Sequence, residues 1–339
     1  MKRFIISLLF VSLTLSSLMA EGQKDTAAVA VTEGNKQYTI ATVGKIDGIS
    51  WFNRMREGAE MFGEETGHDT FMQSPAQADA AQQVQIIENL IAQGVDAICV
   101  VPFSPEALEP VLKKAMDAGI VVVTHEATSQ QNTDVILEAF RNEDFGAEMA
   151  SYLLENMGEE GQVANFVGSL TSKSHNEQQD GVEAFIADYS SVELVSRRNE
   201  DYDDQMIAYE KTKELLSTYP NLKGIIGSAS TTAPGAGLAI DESGLQDKVS
   251  VVGVGTPLDN KAYLESGAVD KIGFWDPALA AYAMNRVAVM LLDGKEITDG
   301  MDLDVAGYES LNQDPSKKNL FFANAWVFVD KNNVDEYSF

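Results

Sequence analysis

Beyond residue 37, short β-rich apolar runs alternate with longer stretches in which apolar residues recur at helical spacing. The runs at 38–43, 69–73, 97–102, 120–124 and 134–139 have the length and side chains of strands. Segments near 50–65, 78–93, 106–118 and 144–157 read as the helices between them. In the second of these, Val84, Ile86, Ile87, Leu90 and Ile91 mark one apolar face, and Gly94 follows where a left-handed residue can close the last turn. Such βα repetition predicts parallel sheets with helices on both faces.

The order then begins again, with strands at 162–167, 192–196, 224–227, 250–254 and 269–274. Helices near 176–188, 203–217, 234–242, 258–266 and 278–292 accompany them. The halves share no evident repeat, yet two α/β units of similar size predict two lobes, and two lobes leave one cleft. About 300 residues of ordinary globular composition are enough to build both.

The chain opens on Met1-Lys2-Arg3, an apolar run from Phe4 to Phe10, and a small-residue exit at Leu18-Met19-Ala20. That order is a secretory signal peptide, cleaved near Ala20, with an uncleaved anchor as the alternative. The run is short and is soon followed by Glu21, Lys24 and Asp25, which argues against a membrane span. With no cysteine at the cleavage point, a soluble periplasmic protein is expected rather than a lipid-anchored one. Residues 21–37 read as a flexible linker.

The only cysteine, Cys99, sits inside the apolar run Ala97-Ile98-Cys99-Val100-Val101, so stability comes from packing and not from disulfides. Fifty-two Asp and Glu against 24 Lys and Arg give a net charge of -28, spread along the chain. Such a surface repels nucleic-acid phosphates and anionic lipid, and neither is an expected partner. There is no G-x-G-x-x-G after the first strand, no phosphate-binding G-x-x-x-x-G-K-[ST], no H-E-x-x-H and no G-x-S-x-G. The three histidines, His68, His125 and His175, are scattered, so no catalytic residue, metal or cofactor is expected.

Several strings along the chain carry a likeness: Val43-Gly44-Lys45, Gln85-Ile86-Ile87-Glu88-Asn89-Leu90, Ser104-Pro105-Glu106-Ala107-Leu108, Gly253-Val254-Gly255-Thr256-Pro257, Gly273-Phe274-Trp275-Asp276 and Val327-Phe328-Val329-Asp330-Lys331-Asn332-Asn333. In their order and span the chain resembles the type I periplasmic sugar-binding family, the receptors that feed ATP-driven (ABC) importers. The likeness is greatest to the branch with the autoinducer-2 receptor and the rhamnose-binding proteins. The resemblance implies the type I periplasmic-binding-protein fold, two Rossmann-like lobes with parallel sheets joined by a three-crossing hinge. One lobe is expected to hold 38–140 plus 276–310, the other 141–275 plus 311–339. It also implies a monomer whose partners are a small neutral sugar or polyol and an ABC permease. Delivery to a chemotaxis receptor or sensor kinase, autoinducer-2 reception, and a secreted α/β enzyme are the alternatives.

The same resemblance implies a set of ligand residues. Lys45 matches the family's binding lysine, and Glu126 stands where the branch carries an aspartate. Asn176 and Glu177 match an aspartate-glutamine pair but differ from it in both residues. Pro234 and Ala236 match positions whose backbone carbonyls meet ligand, with the hydroxyl of Thr231 beside them. From the residues themselves, Trp51, Phe52 and Trp275 can cover the apolar face of a ring, and Asp276 and Thr256 can bond hydroxyls, with Asn142 a weaker candidate. Each has a plainer role open to it. Asn176 or Ser174 can cap a helix, Pro234 suits helix position N1, Asp276 can brace the lobes, and His125 can be a structural hydrogen-bonder.

Overall fold

The computed structural model describes residues 36–339; the predicted leader and residues 21–35 of the predicted linker lie outside the described residues. The first half runs β1 (Thr39–Val43), α1 (Ser50–Thr66), β2 (Asp69–Gln73), α2 (Ala80–Gln93), β3 (Ala97–Val100), α3 (Pro105–Asp117), β4 (Val121–Thr124) and β5 (Val135–Glu138). Then follow α4 (Asn142–Met157), β6 (Gly161–Val167), α5 (Lys173–Ile186), β7 (Val192–Glu200), α6 (Gln205–Thr218), β8 (Leu222–Gly227), α7 (Thr232–Ser243), β9 (Ser250–Val254), α8 (Pro257–Ser266) and β10 (Lys271–Phe274). The chain ends with α9 (Pro277–Leu292), β11 (Asn312–Gln313), β12 (Leu320–Phe322), β13 (Val327–Val329) and a single 3-10 turn (Val334–Glu336).

These strands form two sheets, ordered β11-β12-β5-β4-β3-β1-β2 and β13-β10-β9-β8-β6-β7. Pairing is parallel except at one edge of each, where β11 and β13 run antiparallel. The alternation in β1 shows why helices cover both faces. Ile40 packs toward α1 and α9, while Ala41 and Val43 join Ile87, Leu90, Leu108 and Leu112 beneath α2 and α3. Cys99 is buried and unbridged in β3, and Gly94 ends α2 in the left-handed conformation with its N–H on the carbonyls of Leu90 and Ile91.

The chain passes between the sheets three times, after β5, after β10 and between β12 and β13. This corrects the expected placing of 311–339 in the second lobe. β11 and β12 extend the first sheet, because Leu320 and Phe322 bury themselves beside Ile136 of β5, and only from β13 does the chain join the second. These short tail strands lack enough residues for a period to show. Two local readings also change. The N-cap of α5 is Ser172, not Ser174 or Asn176, and Pro234 is the third residue of α7, still within the first turn, where a missing N–H costs no helix bond.

Helices within each lobe approach closely at glycine. A Cβ on Gly58 of α1 would lie 1.9 Å from the carbonyl oxygen of Ala278 in α9, which seats α9 on the first lobe. In the second, a Cβ on Gly146 of α4 would lie 1.9 Å from the Gln178 oxygen, and one on Gly181 of α5 would lie 2.0 Å from the Glu143 oxygen. Gly146→Ala is therefore expected to force α4 and α5 apart and cost about 1–3 kcal/mol. Urea unfolding checks this, and a wild-type midpoint would show that the two helices tolerate the separation.

Candidate functional site

Where the carboxyl ends of the two sheets face each other, a narrow cleft is lined by Lys45, Ile49, Trp51, Phe52, Glu126, His175, Asp203, Ser228, Ser230, Val254 and Trp275. Six of these eleven residues follow a strand's carboxyl end within three positions, where open α/β sheets leave room for ligand. Lys45 follows β1, Glu126 follows β4, Asp203 follows β7, the two serines follow β8 and Trp275 follows β10.

Lys45 is only 2% exposed, and its ammonium lies 2.5 Å from Glu126 Oε2. Burial alone would raise the Glu126 pKa, but the charge of Lys45 and its hydrogen bond prevail and hold it at about 2. Both residues belong to the first lobe. The second supplies Ser174, whose hydroxyl donates to Glu126 Oε2 at 3.1 Å, and Ser172, 3.4 Å from Lys45 Nζ.

The aromatic wall is held by a buried imidazole. His125 Nδ1 lies 2.5 Å from the Leu137 carbonyl oxygen, and Nε2 accepts from Trp275 Nε1 at 3.1 Å. That pairing assigns the neutral Nδ1–H tautomer, in keeping with burial that lowers the His125 pKa. Trp275 then meets Trp51 edge to face, ring centres 4.6 Å apart.

The second lobe adds His175 and Asp203. His175 Nδ1 accepts from the Gly168 N–H at 3.0 Å, which leaves Nε2–H as a donor. Burial, aided by the charge of Lys45, lowers its pKa from 6.5 to about 3, so the ring is neutral. The Asp203 carboxylate lies across Gly168 from this ring; a Cβ there would stand 2.9 Å from both carboxylate oxygens and 3.0 Å from His175 Cε1. Burial raises the Asp203 pKa. Behind it, Asp201 accepts from the Asp203 N–H at 3.1 Å and from the Thr232 hydroxyl at 2.5 Å, which shapes the loop.

Both cavity carboxylates sit in strained backbone. Among the described residues only five other than glycine have positive φ, and they include Glu126 at 57° and Asp203 at 56°. Each such residue costs about 1–3 kcal/mol and persists where the surroundings impose it. Here the left-handed turn accompanies a carboxylate carried into the cleft, once from each lobe.

Of the residues singled out from sequence, Lys45, Trp51, Phe52, Glu126 and Trp275 come together in this cavity. The others stand outside its lining, each for a visible reason. Asp276 is held by Arg54 at 2.9 and 2.7 Å and caps α9 through the Ala278 N–H, so its oxygens are already taken. Glu177 accepts from Thr128, Asn142 and Lys173, which also occupies Asn142. Asn176 donates to the carbonyls of Ser169 and Ser172 and accepts from Arg198. Thr256 donates to Asp259 at 2.7 Å as the N-cap of α8. Thr231 is the N-cap of α7, and Pro234 and Ala236 are buried within that helix.

Sequence reasoning missed His175 and Asp203. Reading α5 from 176 left His175 outside the helix, and ending β7 at 196 drew Asp203 into α6. β7 in fact runs to Glu200 through register shifts against β6, so 201–204 is the strand-to-helix loop at the carboxyl edge. The signal available was the acidic run Glu200-Asp201-Tyr202-Asp203-Asp204, whose last carboxylate, Asp204, caps α6 and leaves 201–203 outside it.

The profile of the family described as "Periplasmic binding protein domain" matches residues 40–296. The chain belongs to that family, whose members have the fold of binding proteins and not of enzymes. It is similar to the ribose import binding protein RbsB of Bacillus subtilis, 24% identical over 297 residues, covering 88% of this chain and 95% of that protein. Among solved structures it resembles an ABC transporter solute-binding protein from Clostridium phytofermentas with bound L-rhamnose, at TM-score 0.82 and 21% identity, covering 89% of this chain and 98% of the other. LsrB from Clostridium saccharobutylicum in complex with AI-2 gives TM-score 0.81 and 22% identity, covering 89% and 100%.

Two outcomes follow from the buried charges. Lys45→Met strands the Glu126 carboxylate, and a loss of about 3–5 kcal/mol is expected in urea unfolding; a much smaller loss would mean that the serines alone hold the carboxylate. Because the folded pKa of His175 is lowered, the unfolded chain takes up its proton first as pH falls. Stability is therefore expected to decline from pH 6.5 toward 3, and His175→Gln should flatten the upper part of that decline in a pH series of thermal melts.

Proposed function

We propose that this chain is an extracytoplasmic receptor that captures a small uncharged sugar or sugar-like polyol between its lobes and passes it to an ABC permease. The observation that carries this reading is the pair of cavity carboxylates, Glu126 from one lobe and Asp203 from the other, set in left-handed backbone beside a wall of Trp51, Phe52 and Trp275. A hydroxyl both donates and accepts. Asp203 and the Nε2–H of His175 offer it one acceptor and one donor, and Lys45 with Glu126 offer the same on the facing side. The aromatic wall suits the C–H face of a ring.

A ligand that touches both lobes favours the closed arrangement by its differential affinity. The moving bodies in that cycle are 37–138 with 277–322 and 142–274 with 327–339. Ligand contact from Asn176, Glu177, Thr256 and Asp276 has less support than contact from the cavity residues, because their side chains are bonded within helices and loops; Thr231, Pro234 and Ala236 have less because they stand outside the cavity lining. Autoinducer-2 is the second reading, favoured by the likeness to LsrB and weakened by Glu126, Asn176 and Glu177, which depart from that branch's residues.

Native mass spectrometry of the purified protein, then calorimetric titration with L-rhamnose, D-ribose, D-allose, D-arabinose and autoinducer-2, tests the reading. An intact sugar that rebinds saturably supports it; chemical conversion of the bound molecule would sink it. Asp203→Asn is expected to weaken binding by about 1–3 kcal/mol. Since a ligand hydroxyl donates to the ionised carboxylate, wild-type affinity should fall as pH drops through the raised Asp203 pKa, and D203N should lack that fall. A folded D203N with wild-type affinity would remove Asp203 from the site.

A further inference from the structure

Behind the cavity wall the second lobe holds a fully buried amide that no helix or loop requires. Gln179 of α5 is 0% exposed, and its Nε2 donates to Ser228 Oγ at 2.8 Å. Its Oε1 is buried too and, among the described residues, meets no donor. An unpaired buried oxygen costs stability, and each such group in a folded protein calls for a reason. A methionine or leucine would fill the same space without that cost. What the amide adds is the bond to Ser228.

That bond gives one hydroxyl a direction. Ser228 follows β8, lines the cavity and is 1% exposed. A serine hydroxyl has one proton and two lone pairs, and it turns to suit its neighbours. The Gln179 N–H takes a lone pair, and among the described residues no acceptor takes the proton, so the proton is left for the cavity. One turn of α5 arranges this, because His175 and Gln179 stand four apart on the same face. His175 offers its Nε2–H to the cavity directly, and Gln179 gives the cavity a second donor through Ser228. With Asp203 as acceptor, the second lobe presents two donors and a carboxylate.

We propose that Gln179 is a positioning residue of the sugar site, which holds Ser228 as a fixed hydrogen-bond donor and so selects a ligand with an oxygen at that point. A ring oxygen, or a hydroxyl whose own proton goes elsewhere, is accepted there. A position reduced to CH2, or one that carries an ammonium group, is refused, because neither can take the serine proton. The inference rests on the sugar-capture reading and deepens it, since it names a residue outside the cavity lining that sets which sugar fits.

The test is calorimetric titration of the purified protein with L-rhamnose, D-ribose, D-allose and D-arabinose, repeated with Gln179→Met, Gln179→Leu, Ser228→Ala and the double variant Gln179→Met/Ser228→Ala. Two apolar replacements of different shape are used so that a misfit of one leaves the other to be read, with thermal melts to show that each is folded. Both are expected to bind the preferred sugar about five- to tenfold more weakly. The loss should be smaller for the other sugars, so that the preference narrows. In the Ser228→Ala background, Gln179→Met is expected to cost nothing further, because its effect passes through the serine. A loss that repeats in full in that background would make the amide a support of the fold alone and overturn the inference. Wild-type affinity in either folded Gln179 variant would overturn it as well, and an equal loss for every bound sugar would remove the selection. A wild type that takes up none of the four sugars would fail the sugar-capture reading itself, and this inference with it.

Discussion

The ion pair between Lys45 and Glu126 is the contact on which the cleft depends. Each charge, removed from water, costs several kcal/mol, and their attraction offsets that only while every remaining bonding position is used. In this chain the first lobe supplies the pair, and the second supplies Ser172 and Ser174, which bond it from across the cleft. Parting the lobes would withdraw those hydroxyls and let water in. The solvation of the pair thus changes with the distance between the lobes.

Around that pair the cavity is assembled from groups that cannot easily move. His125 holds Trp275, Trp275 meets Trp51, and Asp201 shapes the loop that carries Asp203. A hydroxylated ligand gains little net energy from one hydrogen bond in water. Its recognition therefore rests on donors and acceptors that have already lost their freedom before it arrives. The strain at Glu126 and Asp203 fits this logic, since the packed surroundings fix a conformation that an isolated chain would leave.

The hinge side is braced by a different set of charges. Arg54 of α1 binds Asp276 at the second crossing and Glu57 on its own helix, and the Phe339 ring covers its guanidinium at 4.6 Å. At the first crossing, Glu138 is buried and accepts from the Ala127 N–H at 2.7 Å. Burial and the nearby Glu177 raise its pKa well above the ordinary carboxylate value. An acidic protein thus disfavours charge on one hinge carboxyl and pairs the other, which eases repulsion at the crossings.

The sequence by itself determined the two α/β units, nearly every strand and helix to β10, the burial of Cys99, the end of α2 at Gly94 and five residues of the cavity. Periodicity and turn chemistry are local, and a side chain just after a strand reaches the cleft by the geometry of parallel sheets. Tertiary structure decided the rest. Asp276, Glu177 and Asn176 have the chemistry of ligand groups, but partners distant in sequence occupy them. His175 and Asp203 entered the cleft because α5 starts earlier and β7 extends further than their polar sequences suggest. β11 and β12 joined the first sheet because short strands take their place from the edge they can bury against. A residue type states which bonds a side chain can make, and only the folded chain decides which of those bonds are already made.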